Sequence, residues 1–255
     1  MTMEQRRIVE QDRPGPGAAS PPDLGGSKWV LCSPHREPAF LASCPAAPRP
    51  RRGPGRGFSS RQMERELLAS LLKEHSRAGR IQELALSRNP LGKPYLWLEG
   101  LPGPPISFSR SAGRLWAALG TPRSWLGLDA ASPEEFSGSY PFKRVFQETE
   151  WQAATSLTRG DREEAGALLW SVKEAVVKAR GCGYHFFGPR RIHLEFAGLG
   201  EHGPCWRGHL ETPVPDLVDP GSQGIIPAAS VRLHEVWLSV AWMTVAPGEA
   251  LAPVG

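Results

Sequence analysis

Trp170-Ser171-Val172-Lys173-Glu174-Ala175-Val176-Val177-Lys178 is the stretch around which the chain is organised. Ala and straight-chain residues stand between its apolar positions, and no Pro occurs from Glu163 through Ala179, so it reads as a helix. At 3.6 residues per turn, Trp170, Glu174 and Lys178 fall on one face, a carboxylate and an ammonium sharing a stripe with a large aromatic. Upstream, from about Asp161, the residues Ala165, Leu168, Leu169 and Val172 form the apolar side of the same helix. Gly181 and Gly183 end it. On their own, Glu174 and Lys178 are most simply a surface ion pair, with the acid N-terminal to the base as helices prefer.

Composition sets the outer bounds. The chain has 255 residues, of which 40% are hydrophobic, enough for one large domain or two small ones with a real core. A net charge of +4, largely from arginine, suits phosphate-rich ligands or acidic partners. The four cysteines, Cys32, Cys44, Cys182 and Cys205, are scattered without metal-ligand spacing, which predicts neither a disulfide framework nor a zinc site. No apolar run approaches the ~20 residues of a membrane span, and Met1 to Arg7 lead into Pro and Gly rather than an export signal. A cytoplasmic protein is expected.

Residues 1–26, rich in Pro, Gly, Ser and charge, are expected to be a disordered tail, and 248–255 a second tail. Lys28 to Cys32 predicts a strand, and a Pro/Arg-rich linker follows near 45–58. A helix is predicted from about Arg61 to His75, with Leu67, Leu68, Leu71 and Leu72 as its stripe and Ser59-Ser60 as its cap. Arg88 to Leu96 reads as a turn-rich loop presenting Lys93. Ile106 to Ser111 alternates as a half-buried strand, Leu115 to Leu119 is apolar, and Trp125 to Asp129 ends on an acid. That acid either reaches a ligand at the sheet edge or caps the helix starting at Ser132-Pro133-Glu134-Glu135. Gln147 to Trp151 opens another helix, and Arg190 to Phe196 and Val231 to Trp242 each alternate as a strand. No internal repeat, P-loop, Rossmann glycine pattern or nucleophile elbow is present.

Five segments in order, from about Ser59 to Ala246, resemble the 4'-phosphopantetheinyl transferases of the Sfp type. They are Gly92-Lys93-Pro94, Ile106-Ser107-Phe108-Ser109-Arg110-Ser111, Gly127-Leu128-Asp129-Ala130-Ala131, Phe146-Gln147-Glu148-Thr149-Glu150 and the Trp170 to Lys178 helix. The resemblance implies an α+β fold: a pseudo-twofold pair of similar subdomains, each a small antiparallel sheet packed on a long helix. The subdomains would span 27–126 and 127–247, with the metal site in the second.

The implied reaction moves the phosphopantetheine arm of coenzyme A onto a serine of an acyl or peptidyl carrier protein and releases adenosine 3',5'-bisphosphate. Mg²⁺ is the implied cofactor, since a hard cation takes carboxylates together with substrate phosphates. By resemblance, Asp129 and Glu174 hold the metal, Glu150 is the general base, directly or through a water, and Lys178 neutralises or protonates the leaving group. Arg65, Lys93, Ser109 and Arg110 hold the 3'-phosphate and nucleotide side of coenzyme A. The family's usual His is Arg110 here, which keeps a phosphate partner, and its second acid is Ala131, which removes one ligand and leaves a place for water. The partners expected are coenzyme A and an acidic carrier protein attracted by Lys143 and Arg144, with no nucleic acid and no membrane, and the chain is expected as a monomer. Two alternatives are a degenerate protein that binds coenzyme A or carriers without transfer, on account of Ala131, and a basic nucleic-acid binder using the arginine-rich linker.

Overall fold

The computed structural model describes residues 28–33, 37–46, 60–75, 83–122, 124–181, 188–211 and 224–244. The expected tails at 1–26 and 248–255, the linker beyond Ala46, the Ser59 part of the cap, Cys182 and Gly183 lie outside these residues. The chain is mixed helix and sheet, with several antiparallel sheets.

The first sheet is four-stranded. It contains β1 (Lys28–Cys32), β2 (Pro38–Pro45), β6 (Ile106–Ser111) and β7 (Arg114–Leu119), in the order β1-β2-β7-β6. Helix α1 (Ser60–His75) lays Met63, Leu67, Leu68, Leu71 and Leu72 on one face of it, against Ala42, Cys44, Ile106, Leu115 and Ala117. This is the stripe that the leucine spacing demands.

The second sheet is five-stranded, in the order β8-β12-β11-β10-β9. Its strands are β8 (Ser124–Ala131), β9 (Ile192–Leu199), β10 (Pro204–Leu210), β11 (Ile226–Leu233) and β12 (Val236–Thr244). Helix α4 (Arg162–Arg180) covers one face and buries Leu168, Leu169, Val172, Ala175 and Val176 among Trp206, Ala228 and Ala241. On the opposite face, Leu126, Leu128, Ala130, Leu238 and Val240 meet Leu31, Leu41, Trp116 and Ala118 of the first sheet. Two sheets thus pack face to face with a long helix outside each, a layered solution that buries both faces of every central strand. Trp116, Trp206 and Trp242 are fully buried, so these rings belong to the core and not to a nucleic-acid platform.

Helix α4 begins and ends where its sequence specifies. Asp161 Oδ1 accepts hydrogen bonds from the Glu163 and Glu164 amides at 3.0 Å, and Gly181 closes the helix at φ 83° in the left-handed region. Beside it lie α2 (Phe142–Val145) and α3 (Glu148–Leu157). A 3₁₀ turn at Pro133–Phe136 follows β8 directly. No described helix is long and apolar enough to cross a membrane.

Two expectations are corrected. Arg88 to Leu96 is the tip of a hairpin, β3 (Leu84–Arg88) and β4 (Pro94–Leu98), extended by β5 (Leu101–Pro102) into a third sheet. The turn is tied by Asn89, whose Oδ1 accepts from the Lys93 amide at 2.8 Å. Val231 to Trp242 is two strands joined by a turn at His234 and Glu235, where His234 takes φ 50°. The parity of the apolar positions shifts across that turn, from Val231 and Leu233 to Val236, Leu238 and Val240.

Candidate active site

The site forms where the two sheets abut, between β6 and β8. These strands share no backbone ladder and are joined by serines at alternate positions of β6. Ser107 Oγ accepts from the Leu128 amide at 2.9 Å, and Ser109 Oγ accepts from the Ala130 amide at 3.1 Å. Side chains at i and i+2 share a strand face, so a Ser-x-Ser spacing matches the amides of 128 and 130. Ser109 then donates its own proton to Asp129 Oδ1 at 2.7 Å, fixing that carboxylate at the junction.

Glycine brings the next partner close. A Cβ on Gly127 would sit 1.9 Å from the Ala175 carbonyl oxygen and 2.3 Å from the Ala179 nitrogen, so β8 lies directly on the α4 backbone. Asp129, two residues on, shares that face and meets Lys178, whose Nζ donates to Asp129 Oδ1 at 2.6 Å and reaches the Phe108 carbonyl at 3.5 Å. Burial pushes the Asp129 carboxyl above the ordinary carboxylate range, while the Lys178 ammonium and the Ser109 hydroxyl oppose that rise. Glu174 stands one turn before Lys178. Burial first and the Asp129 charge second push it up to about 7, with Lys178 opposing.

Glu174 and Lys178 line a cavity of about 210 Å³ together with Arg88, Lys93, Phe108 and Gly181. Lys93 Nζ donates to the Ala179 carbonyl at the end of α4, 3.1 Å away, and lies 3.5 Å from the centroid of the Trp125 ring. Arg88 was not singled out in the sequence. It donates to Glu64 Oε2 at 2.8 Å and to the Gly92 carbonyl at 3.0 Å, which holds it beside the hairpin tip. Its only sequence signal is its place five residues before Lys93, across a turn that folds the two back together.

The expected site residues therefore divide. Ser109, Asp129 and Lys178 are in direct contact, and Glu174 and Lys93 share the cavity with Lys178. Arg65 is exposed and donates to the Leu84 carbonyl at 2.8 Å, and Arg110 is exposed, with its guanidinium on the Ser60 hydroxyl of α1. Neither lines the cavity. Alternation puts Arg110 on the opposite face of β6 from Ser109.

Glu150 stands apart from this group. It is buried on α3, and its Oε1 pairs with Lys173 Nζ at 2.6 Å and accepts from the Gln147 amide, also at 2.6 Å. Its Oε2 accepts from the Leu194 amide at 3.2 Å. Lys173, fully buried, gives its remaining protons to the Pro189 and Ile192 carbonyls at 2.9 and 2.6 Å. Burial lowers the Lys173 pKa, and Glu150 opposes that fall. The pair joins α3, α4 and the start of β9, and every polar atom in it has a partner.

Asp129 and Glu174 fit a hard divalent cation by their donor chemistry. The charge of Asp129 repels that of Glu174, and Glu174 lines the cavity and accepts no hydrogen bond among the described residues. Ala131 is fully buried in the α4 core, and no group of three ligating side chains is assembled among the described residues. Such a site needs phosphate and water to complete its shell, as Mg²⁺ sites commonly do.

No curated protein matches the chain. A family model does match residues 126–205, from the body of β8 into β10, and so takes in Asp129, Glu150, Glu174 and Lys178. The chain thus carries, over residues 126–205, a domain of the 4'-phosphopantetheinyl transferase superfamily.

Proposed function

We propose that the chain transfers 4'-phosphopantetheine from coenzyme A to a serine of an acyl or peptidyl carrier protein, in the manner of the Sfp-type enzymes, with its two helix-and-sheet halves as the pseudo-twofold pair. The observation that carries this is that Lys178, which lines one cavity with Glu174, pairs with the buried Asp129, all three within the stretch that matches the superfamily. Asp129 and Glu174 are the residues that would hold Mg²⁺. When bound, the ion supplies charge neutralisation on the diphosphate.

The chain's own groups account for the rest. Lys93 and Arg88 offer cations to the phosphates at one side of the cavity, and Lys178 sits at the other to neutralise the departing nucleotide. The serine oxygen attacks the phosphorus bonded to pantetheine, the bond to adenosine 3',5'-bisphosphate breaks, and the serine proton passes to a solvent water. For Glu150 to take that proton, its pair with Lys173 has to open, so its role here is to position α4 and with it Glu174. Lys143 and Arg144, exposed on α2, present positive charge to an acidic carrier.

The test is an intact-mass measurement on an apo carrier protein incubated with the chain, coenzyme A and Mg²⁺. A gain of one phosphopantetheine per carrier is expected. Binding of coenzyme A without any gain, across fatty-acid, polyketide and peptide carriers, would mean a binding protein that lacks the transfer step.

A further inference from the structure

Three hydroxyls interrupt the apolar packing of α4 on the second sheet. Ser171 of α4, Ser239 of β12 and Ser230 of β11 are fully buried, and Trp237 and Ala241, two positions to either side of Ser239, belong to the hydrophobic core. Ser239 Oγ lies 2.7 Å from Ser171 Oγ and 2.8 Å from Ser230 Oγ, and Ser171 Oγ donates to the Leu168 carbonyl at 2.8 Å. A carbonyl can only accept, so the single Ser171 proton is committed there. The Ser239 proton therefore goes to Ser171, and the Ser230 proton to Ser239.

The row leads to the candidate site. Strand register sets Ser230 opposite Ser239 and Ser239 opposite Asp129, and directly opposed residues of antiparallel strands share a face. That face is the one beneath α4, because Ser239 meets Ser171 and Asp129 meets Lys178. On the helix, Ser171 stands three residues before Glu174, an axial rise of about 4.5 Å. The approach of Gly127 to the Ala175 backbone sets how closely α4 lies on β8, and the Ser239–Ser171 bond sets where along its axis the helix rests. Glu174 lies between these two points. The core side chains nearby, Ala175, Ala228 and Ala241, are small and offer only shallow ridges against sliding.

Stability alone does not call for the row, since alanines in place of all the bonded partners fill the same space with little net effect. What the hydroxyls add is a fixed distance and direction. We infer that Ser171 and Ser239 are positioning residues that fix the axial register of α4 on β12, and thereby the spacing of Glu174 from Asp129 that a divalent cation requires. The inference rests on the proposed use of Mg²⁺ at these two acids.

The test is calorimetric titration of the full chain with Mg²⁺ in the presence of coenzyme A. Ser171→Ala and Ser239→Ala are each expected to bind Mg²⁺ roughly threefold to tenfold more weakly, the worth of one hydrogen bond, with coenzyme A affinity in the absence of metal unchanged. Ser230→Ala leaves the Ser239–Ser171 bond in place and is expected to retain Mg²⁺ affinity. Replacing all three serines by alanine is expected to restore the resistance to urea that the single variants lose, because no hydroxyl is left unpaired, yet to keep the loss of Mg²⁺ affinity. Recovery of Mg²⁺ affinity together with stability in that variant, or an equal loss in Ser230→Ala, would overturn the inference while leaving the transfer reading intact. Unchanged Mg²⁺ affinity in Ser171→Ala would do the same without recourse to the all-alanine variant. Failure of the unaltered chain to bind Mg²⁺ in the presence of coenzyme A would overturn both.

Discussion

Glu174 has a carboxyl whose charge the fold disfavours, and that has a measurable consequence. Its pKa rises from an ordinary 4.5 to about 7, so the folded state binds its proton more tightly than the unfolded state does. By linkage, its contribution to stability is fully present below pH 4.5 and is lost as pH rises through about 7. In metal-free protein, Glu174→Gln should match the unaltered chain in acid and exceed it above neutrality, by roughly 3 kcal/mol at most. Urea unfolding at several pH values in the presence of a chelator measures this. An unchanged difference across the range would mean that the carboxyl is not destabilised in the fold. The chemistry of this residue was not legible from its spacing, since an acid and a lysine one turn apart are common on helix surfaces. What sets it apart is the burial and the facing Asp129, which only the packing of β8 on α4 supplies.

Among the elements, α4 was the most legible from sequence. Its apolar period, its Asp161 cap and its Gly181 terminus agree with one another and with the structure. Strands β6 and β8 were legible as strands, but their junction was not: Ser107 and Ser109 look like ordinary outward polar positions until the neighbouring amides of Leu128 and Ala130 are in place. The hairpin at Leu84–Leu98 was hidden by the Pro and Gly in its turn, and the strand running through Val231 to Trp242 by a two-residue turn without Gly, Asn or Pro. The contact between β8 and α4 depends on Gly127, because a methyl there meets backbone atoms that cannot swing away. Gly127→Ala should cost about 3 kcal/mol or more, beyond an ordinary strand glycine substitution, and separate Asp129 from Lys178. Thermal unfolding close to that of the unaltered chain would show that the two elements are not so tightly joined.

Across the whole molecule, the candidate site is assembled from Lys93, Ser109, Asp129, Glu174 and Lys178, which four different parts of the chain contribute. Sheet order brings them together: β6 ends the first sheet, β8 ends the second, and the β3–β4 hairpin places Lys93 over the end of α4. The ordered motifs named most of these residues. They could not reveal that Arg110 faces α1, that Glu150 is committed to Lys173, or that Arg88 joins the cavity, since each depends on a partner distant in sequence. This junction is proposed to perform the transfer. Intact-mass assay of an apo carrier with coenzyme A and Mg²⁺ tests it directly through Asp129→Asn and Glu174→Gln. The predicted result is modification of the carrier by the unaltered chain and a fall on the order of 100-fold or more in both variants, each still folded. Modification by either variant within about threefold of the unaltered rate would contradict the claim, because an effect below 1 kcal/mol is too small for a residue that holds the reacting charge.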